Sequence, residues 1–132
     1  MITTLPAILA PLEWIASSRE DLKEFPGDVQ DVIGFALYLA QIGDKHPDAK
    51  PLRGDPAFKG AGVLEVVDDH DGDTYRAVYT VRFAGVIYVL HAFQKKSRKG
   101  IETPKHEIDV IKARLKVAEA HYRENYGKGG KK

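Results

Sequence analysis

The apolar positions of this chain change period several times, and the changes divide it into elements. Residues 12–16, LEWIA, are rich in large apolar side chains and read as a short first strand. Ser18 followed three residues later by Asp21 has capping-box spacing and predicts a helix over 19–25. Pro26 ends it, because proline disfavours helix in the preceding residue, while the same proline suits the first turn of a new helix. Val29, Val32, Ile33, Ala36, Leu37 and Ala40 then recur at helical spacing up to Gly43, so residues 18–42 read as a helical hairpin with one apolar face. Residues 44–62 lose all periodicity, are rich in Gly and Pro, and read as a loop.

Strand-like runs follow at 63–67, 74–83 and 86–94, rich in Val, Ile, Tyr and Phe. Asp71-Gly72 suits a tight turn between the first two, and Phe83-Ala84-Gly85 joins the second pair. Thr103 is placed to cap a last helix with Pro104 at its first position, and Ile108, Ile111, Leu115, Ala118 and Tyr122 give that helix an apolar stripe. The order predicts an α+β fold: an N-terminal helical hairpin, an antiparallel sheet of three to four strands and a C-terminal helix. One domain is expected over 1–126, with 127–132 as a disordered basic tail.

Charge adds an asymmetry that the pattern does not show. Residues 1–94 carry 8 Lys and Arg against 14 Asp and Glu, whereas residues 95–132 carry 12 against 5. A basic surface for a polyanion is one reading, and a solvated helix with a frayed end is the other. The chain has no cysteine, which excludes a disulfide scaffold, a thiolate nucleophile and a Cys-based zinc site, and fits a reducing cytoplasm. The apolar N-terminus has no basic n-region, so no signal peptide is expected, and no apolar run approaches the roughly 20 residues that cross a bilayer.

The candidate chemistry gathers in residues 73–99. By strand alternation Arg76 shares a face with Val78, Thr80 and Arg82, and Tyr75, Ala77, Tyr79 and Val81 form the better core face. Arg76 and Arg82 are therefore expected on a partly apolar surface, where a guanidinium can grip phosphate bidentately; a strand arginine paired with a carboxylate is the alternative. The run 94–100, QKKSRKG, sets further cations at a strand end, where they could neutralise phosphate, stabilise a phosphorane or exchange protons. His46, His70, His91, His106 and His121 fall in five different elements without ligand spacing, so no metal and no cofactor is expected. Asp68, Asp69, Asp71 and Asp73 have the glycine in the wrong place for a calcium loop. His91 reads either as a proton-transfer group or as a packed sheet histidine.

The loop PLRG, the strand VLEV, the arginine strand DTYRAVY, the strand end FQKKS and the helix start TPKHEI occur in that order within residues 50–116. This combination resembles the phage-derived, HigB-like branch of the RelE/ParE toxin superfamily, and LEWIASSREDLKEFP is similar as well. The resemblance implies the toxin of a type II toxin–antitoxin pair, a ribosome-dependent mRNA endonuclease in which the RNA 2′-OH attacks the adjacent phosphate. It implies Arg76, Lys95 and Lys96 as catalytic cations, with Arg53, Lys59, Arg82, Arg98 and Lys99 as RNA contacts. The implied partners are a helix-turn-helix antitoxin, the ribosome and mRNA. No tyrosine follows the basic cluster closely, so the resemblance assigns no acid or base. Two alternatives use the same fold: a non-enzymatic inhibitor, for example of DNA gyrase, and a phage-derived module that binds nucleic acid without cutting it.

Overall fold

The computed structural model describes residues 9–95 and 103–127. A short strand β1 (Leu12–Trp14) leads into two helices, α1 (Ser18–Lys23) and α2 (Gly27–Gln41). Strand β2 (Ala49–Pro51) and a 3₁₀ turn (Pro56–Phe58) occupy the loop region, and β3 (Val63–His70), β4 (Asp73–Thr80) and β5 (Ile87–Lys95) form the meander. Helix α3 (Lys105–Tyr122) follows and ends in a π-helical turn, Arg123–Gly127. Among the described residues no helix is long and apolar enough to cross a membrane. Of the expected tail, Gly127 closes the π-helical turn, and 128–132 lie outside the described residues.

The sheet has five strands in the order β1-β5-β4-β3-β2. This is the expected α+β architecture with two additions. Residues 49–51 pair as a strand with β3, and β1 runs parallel to β5, so the sheet is mixed where a purely antiparallel one was expected. The parallel pair requires the chain to cross from β1 to β5 through everything between them, which no local pattern encodes.

Local chemistry explains most element ends. Asp71 and Gly72 both have positive φ, at 51° and 85°, as the two-residue turn between β3 and β4 demands. Ser18 was expected to cap the first helix, but Ser17 holds that position; the Ser18 hydroxyl is buried and donates to the carbonyl of Val89 on β5 at 3.1 Å. Thr103 was expected to cap the last helix, but Pro104 does so from an extended conformation, which frees the Thr103 hydroxyl for another partner.

The larger correction concerns the faces of β4. The face with Tyr75, Ala77 and Tyr79 packs on α1 and α2 through Leu22, Phe25, Val29, Ile33 and Leu37, as expected, but Val81, expected on the same face, lies past the end of β4 and is exposed. The opposite face is not open: Val78 packs under α3 against Ile108, Ile111 and Leu115. Arg76 at 3%, Val78 at 0% and Thr80 at 0% exposure are all buried. A central strand covered by helices on both sides loses the simple inside–outside alternation. The roof is held by burial: truncating Ile111, which is fully enclosed, is worth about 2–5 kcal/mol.

Candidate functional site

Arg76 lies at the middle of β4, opposite Val67 of β3 and Phe93 of β5. Its Nη1 donates to Glu65 Oε1 at 2.9 Å and to Thr103 Oγ1 at 3.2 Å. The two side chains of the ion pair are 4% and 16% exposed. Thus the carboxylate-paired reading of Arg76 is the one the structure shows, within the sheet–helix interior rather than in solvent. Lys95 ends β5 opposite Thr74 and is also buried. Arg76 and Lys95 therefore share one face as diagonal neighbours on adjacent strands, a placement that puts their Cα atoms roughly 7–8 Å apart.

Beside them lies a second polar cluster. A β-bulge between Val78 and Tyr79 leaves Leu90 as the additional residue on β5, and its carbonyl accepts from Arg114 Nη1 of α3 at 3.0 Å. The same Nη1 lies 3.2 Å from His91 Nδ1, while His91 Nε2 lies 2.5 Å from Glu107 Oε1. Guanidinium can only donate, so Nδ1 must accept, and the imidazole proton sits on Nε2 facing Glu107. Burial pulls the His91 pKa down, Glu107 opposes that, and the Arg114 charge adds to the fall. Phe93 stacks on the ring with centroids 4.8 Å apart. With both nitrogens engaged and the ring buried, His91 is the packed sheet histidine.

Arg114 Nη2 also donates to Ser17 Oγ at 3.2 Å, and Ser17 in turn donates to Asp21 at 2.7 Å. One polar chain thereby ties α1, β5 and α3 together. The segment Thr103-Pro104-Lys105-His106-Glu107 acts as a bracket, with Thr103 on Arg76, Pro104 at the helix cap and Glu107 on His91. The chain leaves this region at Lys95 and returns to it at Thr103.

The other expected contacts are spread out. Lys96, Arg98 and Lys99 lie outside the described residues. Arg53 is exposed in the loop whose Gly54 backbone lies against Ile108 and whose Asp55 pairs with Lys112 at 3.0 Å, so it sits beside the first half of α3. Lys59 is exposed on the segment that meets the far end of β4, where Thr80 donates to the Ala61 carbonyl. Arg82 was expected on the strand face with Arg76, but it lies past the end of β4, exposed, with its guanidinium 5.4 Å from the Phe83 ring centroid. Four residues of strand, about 13 Å, separate Arg76 from Thr80, and Arg82 lies two residues beyond that end.

Glu65, Thr103, Glu107 and Arg114 belong to the cluster and were not expected there. Two surface grooves, one between β1, α1 and α2 and one at the Val81–Ile87 end of the sheet, contain neither Arg76 nor Lys95. Among the described residues no group of three His, Asp or Glu side chains could hold a metal ion.

Residues 20–116 match a family model described as phage derived protein Gp49-like (DUF891). No curated protein matches the chain. A crystal structure of the toxin–antitoxin complex RelBE2 from Mycobacterium tuberculosis is similar over 70% of this chain and 98% of the matched one, at 16% identity and a TM-score of 0.44. A family model that spans most of the fold, from α1 through the greater part of α3, places the chain: it belongs to the Gp49-like family of phage-derived proteins.

Proposed function

We propose that the protein is the toxin of a type II toxin–antitoxin pair and cleaves ribosome-bound mRNA. The observation that carries the reading is the β4–β5 register, which makes Arg76 the diagonal neighbour of Lys95, the last residue of β5 before the segment bearing Lys96, Arg98 and Lys99. Membership of a phage-derived family and the toxin-like motif order support it.

In this reading the 2′-OH attacks the neighbouring phosphate, the P–O5′ bond breaks, and a 2′,3′-cyclic phosphate and a 5′-OH remain. Charge builds on the non-bridging oxygens, and Arg76, Lys95 and Lys96 stabilise it by position and charge. Glu65 and Thr103 hold the guanidinium at a fixed angle, which lowers the cost of ordering it when substrate arrives. Arg53, Arg98 and Lys99 contact the flanking backbone, and Lys59 and Arg82 meet RNA farther along the same side. An antitoxin of the helix-turn-helix type would neutralise the toxin, and the cytoplasm is where both would act.

The test is inducible expression of wild type beside Lys95→Ala/Lys96→Ala and Arg76→Lys, with translation followed by amino-acid incorporation. Arrest by wild type with mRNA fragments ending in cyclic phosphate, and relief in the lysine double variant, are expected. Continued translation with wild type overturns the reading. The Arg76–Glu65 ion pair favours one other reading, in which Arg76 is structural and the fold inhibits a protein target such as DNA gyrase. Blocked supercoiling with intact mRNA would establish that alternative.

A further inference from the structure

Strand β1 is one edge of the sheet. The Ile87 amide donates to the Pro11 carbonyl and the Ile15 amide donates to that of Val89, so odd-numbered residues here turn their backbone groups toward β5. The even-numbered ones turn outward. At Ala10 both outward groups are taken by the last residue of α2. The Ala10 amide donates to the Gln41 carbonyl at 3.0 Å, and Gln41 Nε2 donates to the Ala10 carbonyl at 2.7 Å. The next outward groups, N–H and C=O of Leu12 and of Trp14, have no partner among the described residues. The opposite edge, β2, is blunted by an exposed Lys50 and by Pro51, and β1 has neither device.

Beside this open edge lies the groove between β1, α1 and α2. Leu12 and Trp14 wall it on one side, and Leu22 and Leu37 on the other. Gly34 of α2 also lines it, and a Cβ there would meet no atom within 4 Å. The chain's own packing therefore asks for no glycine in mid-helix, whereas a larger side chain would fill the groove. Arg19 and Lys23, one turn apart on α1, complete the lining, which includes no acid. Both are exposed, and neither joins an ion pair among the described residues.

We propose that β1 and this groove take up an extended, acidic segment of another protein, which adds a strand to the sheet edge. Such a strand draws affinity from the open backbone groups and selectivity from side chains that alternate between the two faces. Those opposite Leu12 and Trp14 turn to the groove and should be apolar. The one opposite Glu13 turns to the other face, where Glu13 already accepts from Tyr126, and should carry no negative charge. Acids flanking the apolar pair then meet Arg19 and Lys23. The chain itself does not supply this ligand: residues 1–8 contain no acid, and a second copy's β1 has its one acid, Glu13, on the face away from the groove. Arg76 and Lys95 lie on the opposite face of the sheet, so docking leaves them uncovered and stands apart from the proposed catalysis. Two edge residues and two exposed cations make a weak, reversible contact.

The probe is the heptapeptide DEVTVED, acetylated and amidated, whose central VTV suits Leu12, Glu13 and Trp14 with acids flanking it in either direction. Trp14 is the chain's one tryptophan, so its fluorescence reports the groove directly, and calorimetry gives a second reading. Saturable binding to the full chain below millimolar peptide is expected. Arg19→Glu/Lys23→Glu should weaken it by about threefold to thirtyfold and favour the basic peptide KRVTVRK instead. Gly34→Leu should raise the thermal midpoint through helix propensity yet weaken the peptide, a pairing that loss of structure cannot give. Methylating alternate peptide nitrogens, at the two valines or at the residues flanking them, should abolish binding in one pattern and spare it in the other, because a strand turns alternate amides to its neighbour. No binding, equal binding of DEVTVED and KRVTVRK to wild type, or indifference to both methylation patterns overturns the proposal. So does a dimer of the chain alone that Gly34→Leu abolishes, since the occupant is then a second copy.

Discussion

Removing Glu65 separates structure from chemistry at Arg76. In Glu65→Ala the guanidinium, 4% exposed at its side chain, keeps Thr103 but loses the Glu65 carboxylate. Loss of one partner from a fully buried pair costs about 3–5 kcal/mol, because the remaining charge is uncompensated. Glu65 is 16% exposed, so water can reach part of the vacated space and the expected loss is lower, about 2–4 kcal/mol. That is a large share of the 5–15 kcal/mol that holds an ordinary domain. Urea unfolding followed by Trp14 fluorescence and far-UV circular dichroism measures it, with an unchanged slope showing that both states keep their extent. Replacing the pair together, as Glu65→Leu/Arg76→Met, should return to within about 1 kcal/mol of wild type, because apolar side chains of similar volume suit the same interior. A loss below about 0.5 kcal/mol in Glu65→Ala, or no coupling in the double-variant cycle, refutes the buried-pair account. The folded double variant then tests catalysis without the confusion of unfolding.

Further outcomes follow from three single groups. The Tyr79 hydroxyl is buried and has no hydrogen-bond partner among the described residues, so Tyr79→Phe should be neutral or stabilising by up to about 1 kcal/mol, read as the urea midpoint. Burial pushes its pKa up to about 12, above the unfolded value of 10.0, so wild type should lose stability between those two pH values as the unfolded chain ionises, and Tyr79→Phe should lose less. The lowered pKa of His91 works at the other end: below the ordinary value of 6.5 the unfolded chain binds a proton that the folded one resists, so stability falls with acid, and His91→Gln should flatten that slope in thermal melts. Gly34→Ala should raise the thermal midpoint, by about 0.5–1 kcal/mol of helix propensity, because the added methyl meets nothing.

Period and punctuation made the long elements legible. The apolar stripes at 29–40 and 108–122 became α2 and α3, and Asp71-Gly72 became the turn with both residues at positive φ. Strands of three residues are too short for a period, so β2 was absorbed into the loop, and the parallel partner of β1 was hidden by distance along the chain. The face assignment of β4 went wrong because alternation assumes one solvent side, and the roof supplied by α3 removes it. Glu65 was within reach: a two-residue turn at 71–72 pairs His70 with Asp73, which sets Val67 opposite Arg76 and makes Glu65 its diagonal neighbour. The role of Thr103 was not, because cap and ligand compete for the same hydroxyl, and only Pro104 taking the cap decides between them.

The burial of Arg76 bears on how a site at this position could work. A guanidinium held by Glu65 and Thr103 adds little to the potential at the surface, since the carboxylate cancels most of its charge at long range. Attraction of a polyanion must therefore draw on the segment between Lys95 and Thr103, where the sequence sets Lys96, Arg98 and Lys99 against a single acid, Glu102. Both ends of that segment are fixed at Arg76, one by the β4–β5 ladder and the other by the Thr103 hydroxyl. Glu107 on His91 and Arg114 on Leu90 and Ser17 then fix the helix that follows. On this account the bracket of Thr103, Pro104 and Glu107 fixes where the chain re-enters beside the arginine. Glu107→Gln keeps an acceptor for His91 and removes the charge, so it should preserve the fold. Glu107→Ala should loosen the return of the chain and lower any RNA affinity, although Glu107 itself faces His91. Equal RNA affinity in both variants, measured at fixed salt, would leave the bracket a purely structural device.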